Sequence, residues 1–260
     1  MPKKFGIIGY PLTYTLSPLM HNRAFRALKI DAIYEAYPVE DIQEALRLIR
    51  SLPLEGVSVT MPHKESILNW LDGVDQEAKA IGAVNTVLND KGRLYGFNTD
   101  WLGFLMALRE STQVEGKRVL VLGAGGAARA ACYALRLEKA QVFVSSRTYE
   151  RARTLAEEFQ ASALPWEDRN RWEGEVIVNA TPLGSKGEMP VDPHVLREGM
   201  VVMDMVYQPR KTRLLEEAER RGAKTVEGLR MLLFQGAKQL EIWLGVTPPV
   251  EAMWEAIAGT

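Results

Sequence analysis

Short apolar runs of β type alternate along this chain with stretches in which apolar residues recur every three or four positions. In the first hundred residues the runs 5–9, 32–39 and 56–61 read as strands, with helical patterns over 18–28 and 40–50. Two further β-type runs, 83–90 and 92–100, flank Asp90-Lys91-Gly92, a turn signal that predicts an antiparallel hairpin. A helix over 101–109 and a polar stretch over 110–117 follow. From residue 118 the order is strand 118–122, helix 126–138, strand 141–145, helix 149–159, strands 175–179 and 200–205, helix 211–221 and strand 223–226. Alternation of this kind builds a parallel sheet through right-handed crossovers. The run 229–245 has helical period, a shorter helical pattern follows Pro249, and no strand comes after them. The fold class is therefore α/β with two domains. The first is an α/β domain of residues 1–103, completed by returning helices in 236–260, and the second is a Rossmann-type parallel-sheet domain over 104–235.

Composition narrows the partners. A formal net charge of −1 offers no broad positive field, so neither nucleic acid nor an anionic membrane surface is an expected partner. The one cysteine, Cys132, falls in a predicted apolar helix and cannot close an internal disulfide, and the three histidines lack metal-ligand spacing. No metal site is expected. The start, MPKKFGIIGYPL, meets proline and polar residues after a very short apolar run, which fits neither a signal peptide nor a membrane span. A cytoplasmic location is the expectation.

Two groups of residues carry chemistry. In VLVLGAGGAARA (119–130), Gly123, Gly125 and Ala128 match a dinucleotide fingerprint between a strand and an alanine-rich helix. Gly123, Ala124, Gly125, Gly126 and Ala127 should wrap a pyrophosphate at the helix amino terminus, where unpaired N–H groups favour an anion. At the end of the next strand an NAD site would carry an acidic residue. Ser145, Ser146, Arg147 and Thr148 stand there instead, hydroxyls and a guanidinium suited to a 2′-phosphate, so the expected cofactor is NADP. Arg129 and Arg151 are either further phosphate ligands or helix surface. The second group precedes the first: VTMPHK (59–64), GAVNT (82–86) and YGFNTD (95–100). Lys64 and Asp100 end apolar runs that should be strands, which brings both charges to one sheet edge. Proton transfer beside hydride transfer is the chemistry this suggests.

These motifs, with GYPLTYTLSP (9–18), SSRT (145–148), NATPLG (179–184), DMVYQP (204–209) and EGLRMLLFQGA (227–237), occur in the order seen in the shikimate dehydrogenase family, which the chain resembles end to end. The resemblance implies NADPH-dependent, reversible reduction of 3-dehydroshikimate to shikimate in aromatic amino acid biosynthesis. It implies that Lys64 and Asp100 are the catalytic pair. Whether Lys64 gives the proton or clamps the developing charge stays open. It further implies that Thr15 and Ser17 bind the substrate carboxylate, that Asn85 and Thr60 bind its hydroxyls, that Gln235 reaches it from the returning helix, and that Tyr207 closes over it. Thr181 and Gly228 join the cofactor residues. Asn98, Thr99 and Thr86 read either as ligands or as turn and cap residues. The chain departs from the family at Thr15, where serine is usual and where relatives that prefer quinate also carry threonine. Tyr14, Ser58 and Trp101 are departures too. A quinate dehydrogenase using NAD and a silent NADP-binding regulator are the rival readings. Domain closure about segments near 100–117 and 228–236 is expected, and a homodimer is left open as the assembly.

Overall fold

The computed structural model describes residues 2–260. It divides into two compact units, Met1–Asp100 with Leu232–Thr260, and Trp101–Met231. The first unit contains β1 (Lys3–Gly9), α1 (Ser17–Ala27), β2 (Ala32–Pro38), α2 (Ile42–Ser51), β3 (Gly56–Val59), α3 (His63–Ser66), β4 (Gly73–Val74), α4 (Gln76–Ile81), β5 (Thr86–Asp90) and β6 (Arg93–Phe97). Its six-stranded sheet has the order β2-β1-β3-β5-β6-β4. Within it β5 runs antiparallel to both β3 and β6. The hairpin joining β5 to β6 turns at Lys91 and Gly92, with φ of 53° and 93°. Two such positive angles in succession make the tight turn that matches strand twist, and glycine at the second position adopts one without strain.

Patterning explains how the sheet is covered. Helix α2 buries Ala45, Leu46 and Ile49, and its Asp41 cap accepts the Glu44 N–H at 2.8 Å. These side chains join Ile8, Leu54, Val57, Val59, Val87 and Leu94 in one apolar core. The chain's last helices return to this unit. Trp243, on α9 (introduced below), donates its indole N–H to the Val87 carbonyl at 3.0 Å, and a methyl on Gly56 would lie 2.5 Å from its ring. Glycine at 56 is what lets the indole lie flat on the strand.

The second unit follows helix α5 (Asp100–Arg109). It comprises β7 (Arg118–Leu122), α6 (Gly126–Leu137), β8 (Gln141–Ser145), α7 (Tyr149–Phe159), β9 (Ser162–Leu164), β10 (Val176–Asn179), β11 (Val201–Asp204), α8 (Arg213–Arg220) and β12 (Lys224–Glu227). The order β12-β11-β10-β7-β8-β9, every pair parallel, is the doubly wound arrangement with its switch point between β7 and β10. Helices α9 (Gly228–Leu244) and α10 (Val250–Ile257) end the chain.

Several elements differ from the sequence reading. Strand β3 stops at Val59, before Pro62, and β5 starts only at Thr86. Helix α5 begins at Asp100 itself. The short pieces α3, β4, α4 and β9 were not read, because two to six residues are too few to display a period. The unit junctions, Asp100/Trp101 and Met231/Leu232, differ by a few residues from those read in the sequence and leave Gln235 in the first unit. Of the segments expected to hinge, 100–109 and 228–236 are helical. Among the described residues no helix is long and apolar enough to cross a membrane.

Candidate active site

The reversed direction of β5 gathers the polar motifs of the first unit. Strands β1 and β3 are parallel and end together, while Thr86 at the start of β5 pairs with Ser58, and Phe97 at the end of β6 pairs with Thr86. The loops after Gly9, Val59 and Phe97 and the loop before Thr86 therefore share one sheet edge. Backbone bonds stitch them: Tyr10 N–H to Met61 O at 2.9 Å, Val59 N–H to Asn85 O at 2.7 Å, and Val84 N–H to Lys64 O at 2.7 Å. A methyl on Gly9 would sit 2.3 Å from the Thr60 methyl, so only glycine allows the first two loops to approach.

On this edge Lys64 Nζ donates to Asp100 Oδ2 at 2.6 Å, with the two side chains 19% and 6% exposed. A pair so shielded holds its geometry better than a surface bridge does. The other carboxylate oxygen, Oδ1, accepts from Asn85 Nδ2 at 2.9 Å. Asp100 is also the first residue of α5, where the N-terminal end of the helix dipole favours its negative charge. Asn85 Nδ2 additionally faces Thr99 Oγ1 at 2.9 Å and Gln235 Oε1 at 3.2 Å, while Asn85 Oδ1 accepts the Thr99 N–H at 2.7 Å and the Thr86 hydroxyl at 2.8 Å. The arrangement can hold a polyhydroxylated molecule beside a proton-bearing ammonium.

The structure thus brings Lys64, Asp100, Asn85 and Gln235 into direct contact. Thr15 and Thr60 stand in the loops that leave the same edge and Ser17 opens α1, with Thr15 Oγ1 accepting the Ser17 N–H at 3.3 Å. Asn98 serves as a cap: its Oδ1 accepts the Asp100 N–H at 3.0 Å and its Nδ2 donates to Ala83 O at 2.8 Å. Thr86 and Thr99 are buried and bonded to Asn85. Tyr207 belongs to the second unit, just after β11.

The second unit carries the cofactor candidates. Gly123 follows β7 with φ of 113°, and a methyl there would meet the Ala180 carbonyl at 3.0 Å. Gly125, the N-cap of α6, has no side-chain cap and open space where a Cβ would stand. With Ala124, Gly126 and Ala127 half-buried around it, this cradle fits a pyrophosphate, to which the first N–H groups of α6 would donate. Ser146, Arg147 and Thr148 follow β8, the arginine exposed. Arg151 donates to Ala124 O at 3.2 Å, whereas Arg129 pairs with Glu158 and lies over the Phe159 ring. At Gly228 a methyl would press on the Asp204 and Met205 carbonyls at 2.7 and 2.6 Å. Cys132 is buried, which pushes its thiol up to about 12 and leaves it inert.

Asp204 was not singled out in the sequence, although an aspartate ending the apolar run VVMD was the available signal. It accepts from Thr212 Oγ1 at 2.6 Å, Asn179 Nδ2 at 2.9 Å and Val206 N at 3.0 Å, which ties together the loops after β10 and β11. Thr181 joins through its hydroxyl, 2.6 Å from Asn179 Oδ1. Burial raises the Asp204 carboxyl to about 6, against the three hydrogen bonds that favour ionisation. The sign follows. The stability is fully present below the ordinary 3.8, and on the order of 3 kcal/mol is lost as pH rises through about 6. Asp204→Asn should abolish that loss. Urea titrations on either side of this window are expected to show the variant gaining on the parent at the higher pH, and an unchanged difference would contradict the assignment.

Gln239 was also missed. It lies one helical turn beyond Gln235 on a largely apolar helix, and that i,i+4 polar pair was the signal.

A doubly wound parallel sheet with an open glycine turn at its switch point, joined to a separate α/β unit bearing a lysine–aspartate pair, defines a two-domain nicotinamide-dependent oxidoreductase. Residues 7–87 match the model of the shikimate dehydrogenase substrate binding domain, 106–185 that of shikimate / quinate 5-dehydrogenase, and 228–258 that of the shikimate 5'-dehydrogenase C-terminal domain. The shikimate dehydrogenase (NADP(+)) of Thermococcus kodakarensis is 45% identical over 94% of this chain and 92% of its own. The crystal structure of shikimate dehydrogenase from Aquifex aeolicus superposes with a TM-score of 0.93 at 38% identity, covering 98% of this chain and 97% of that one. That of Thermus thermophilus, in complex with NADP(H) and shikimate, gives 0.90 at 41%, covering 98% of both. The chain belongs to the shikimate dehydrogenase family.

Proposed function

We propose that this protein catalyses the reversible, NADPH-dependent reduction of 3-dehydroshikimate to shikimate in the cytoplasm, as a step of aromatic amino acid biosynthesis. The observation that carries the reading is the Lys64–Asp100 pair at 2.6 Å, bonded through Asn85 to Gln235. NADPH would supply the hydride when bound; Gly123 to Ala127 would hold its pyrophosphate, Ser146, Arg147 and Thr148 its 2′-phosphate, and Thr181 and Gly228 would line its loops. The residues of the first unit manage the other half of the chemistry. Thr15 and Ser17 offer hydroxyls to the substrate carboxylate, and Thr60, Asn85 and Gln235 fix its ring hydroxyls. Lys64 Nζ stands at the reacting oxygen, where its charge stabilises a developing alkoxide and its proton neutralises it. Asp100 fixes the ammonium in place.

Purified protein incubated with shikimate should reduce NADP+ in preference to NAD+, read as reduced-nicotinamide absorbance. Quinate, brought into question by Thr15, should be the poorer substrate. Preference for quinate with NAD+ would reassign the protein to the catabolic reaction, and cofactor binding without any turnover would make it a regulator.

A further inference from the structure

Behind the polar edge a second line of hydrogen bonds runs into the core. Tyr34 Oη donates to Ser58 Oγ at 2.6 Å, and Ser58 Oγ donates to Gln239 Oε1 at 2.8 Å. The other end of that amide, Gln239 Nε2, donates to the Asn85 backbone carbonyl at 3.1 Å and to Thr86 Oγ1 at 3.0 Å. Thr86 then donates to Asn85 Oδ1 at 2.8 Å. Tyr34, Ser58, Gln239, Thr86 and Asn85 are each no more than 5% exposed, so solvent does not compete for these bonds.

Direction is forced along the line. A backbone carbonyl only accepts, so the Gln239 end facing Asn85 O must be its NH2 group and the end facing Ser58 its oxygen. Ser58 therefore gives its proton to Gln239 and receives one from Tyr34. Thr86, receiving from Gln239, has its own proton left for Asn85 Oδ1. Gln239 thus grips Asn85 twice, at the main chain directly and at the side chain through Thr86. Asn85 Nδ2 is turned the other way, toward Asp100 and Gln235.

We infer that Gln239 is a positioning residue for the reaction, acting through Thr86 to hold the Asn85 amide against the Asp100 carboxylate. The inference rests on the function proposed above. It makes α9 contribute two polar residues with different tasks: Gln235 touches the Asn85 amide from the substrate side, and Gln239 sets that amide from behind.

The test uses Q239L, T86V, T86S and the Q239L/T86V double variant in the full chain. Q239L and T86V should each lower kcat/KM for shikimate by roughly 10- to 100-fold, the scale on which a displaced contact outside the reacting centre acts. The KM for NADP+ should stay within about twofold, because no residue of the line belongs to the second unit. T86S, which keeps the hydroxyl, should restore most of the loss. The double variant should cost little more than the worse single one, since both cut one line. Independently of turnover, the side-chain amide protons of Asn85 should lose exchange protection in Q239L and T86V, read by nuclear magnetic resonance of the unliganded protein. Full activity in Q239L and T86V, additive losses in the double variant, or unchanged Asn85 amide protection would each overturn the inference. If the parent protein does not oxidise shikimate, the proposed function fails, while the amide measurement still decides whether Gln239 holds Asn85.

Discussion

Lys64→Met is expected to lower kcat for shikimate oxidation by roughly 10³-fold while shikimate and NADP+ still bind. Two effects of one group meet here: a placed general acid or base contributes about 10²–10⁴-fold, and loss of one preorganised donor to a developing oxyanion costs about 10²–10³-fold. They cannot be summed, because the same Nζ supplies both. Methionine keeps roughly the length and the unbranched shape of the side chain, so the loss reports the ammonium rather than the fold. Asp100→Asn separates the roles. It preserves hydrogen bonding to Asn85 but removes the charge that the ammonium meets at 2.6 Å. Should Lys64 be the proton carrier, the pH profile of kcat/KM is displaced in Asp100→Asn; should it act as a charge clamp, the profile keeps its shape and only its height falls. Turnover surviving in Lys64→Met would remove the pair from the reaction.

Acidification should expose a second large effect, seated at His21. Its ring is fully buried on α1, stacked on Tyr34 with centroids 4.5 Å apart and tilted against Trp243 at 5.3 Å. Neither ring nitrogen has a partner at hydrogen-bonding geometry, so burial lowers the imidazole from 6.5 to about 3, offset only in part by the Gln239 side chain. The folded chain then binds fewer protons than the unfolded chain between these values. Stability is complete above 6.5 and falls as pH drops toward about 3, by an amount on the order of 5 kcal/mol. Asp204 works in the opposite sense over part of the same range, so the parent protein alone cannot isolate the histidine. The difference between parent and His21→Phe can, because phenylalanine keeps the ring on Tyr34 and cannot ionise. Denaturant titrations from neutral to acid pH should show the variant overtaking the parent, whereas parallel curves would mean that the imidazole is not forced neutral.

Much of this was readable in the sequence, and what was not has physical causes. The strands and helices from 118 onward carry clean periods because both faces of a parallel sheet are buried between helices, and the glycine turn after 122 has a steric reason for each position. Lys64 and Asp100 could be assigned to one edge because each ends an apolar run. The region 63–81 was opaque: a four-residue helix, a two-residue strand and a six-residue helix give no period, yet Val84 binds the Lys64 carbonyl there and so anchors the lysine. Gln239 and Asp204 carried only faint local signals, because their value lies in what they touch across more than twenty positions of sequence, such as Gln239 with Thr86 and Asp204 with Asn179. Asn98 shows the converse, a residue inside a family motif that the structure employs as a helix cap.

One architectural detail bears on how the molecule can be handled. Because β5 enters the sheet against the direction of β3, the hairpin at Asp90, Lys91 and Gly92 lies at the opposite rim from Lys64, Asn85 and Asp100, with all three of its residues exposed. Insertions are tolerated best at exposed loop tips whose backbone leaves few bonds to lose. This tip is therefore the place to splice a fluorophore, an affinity tag or a surface tether into the first unit, at the far end of the strands from the chemistry.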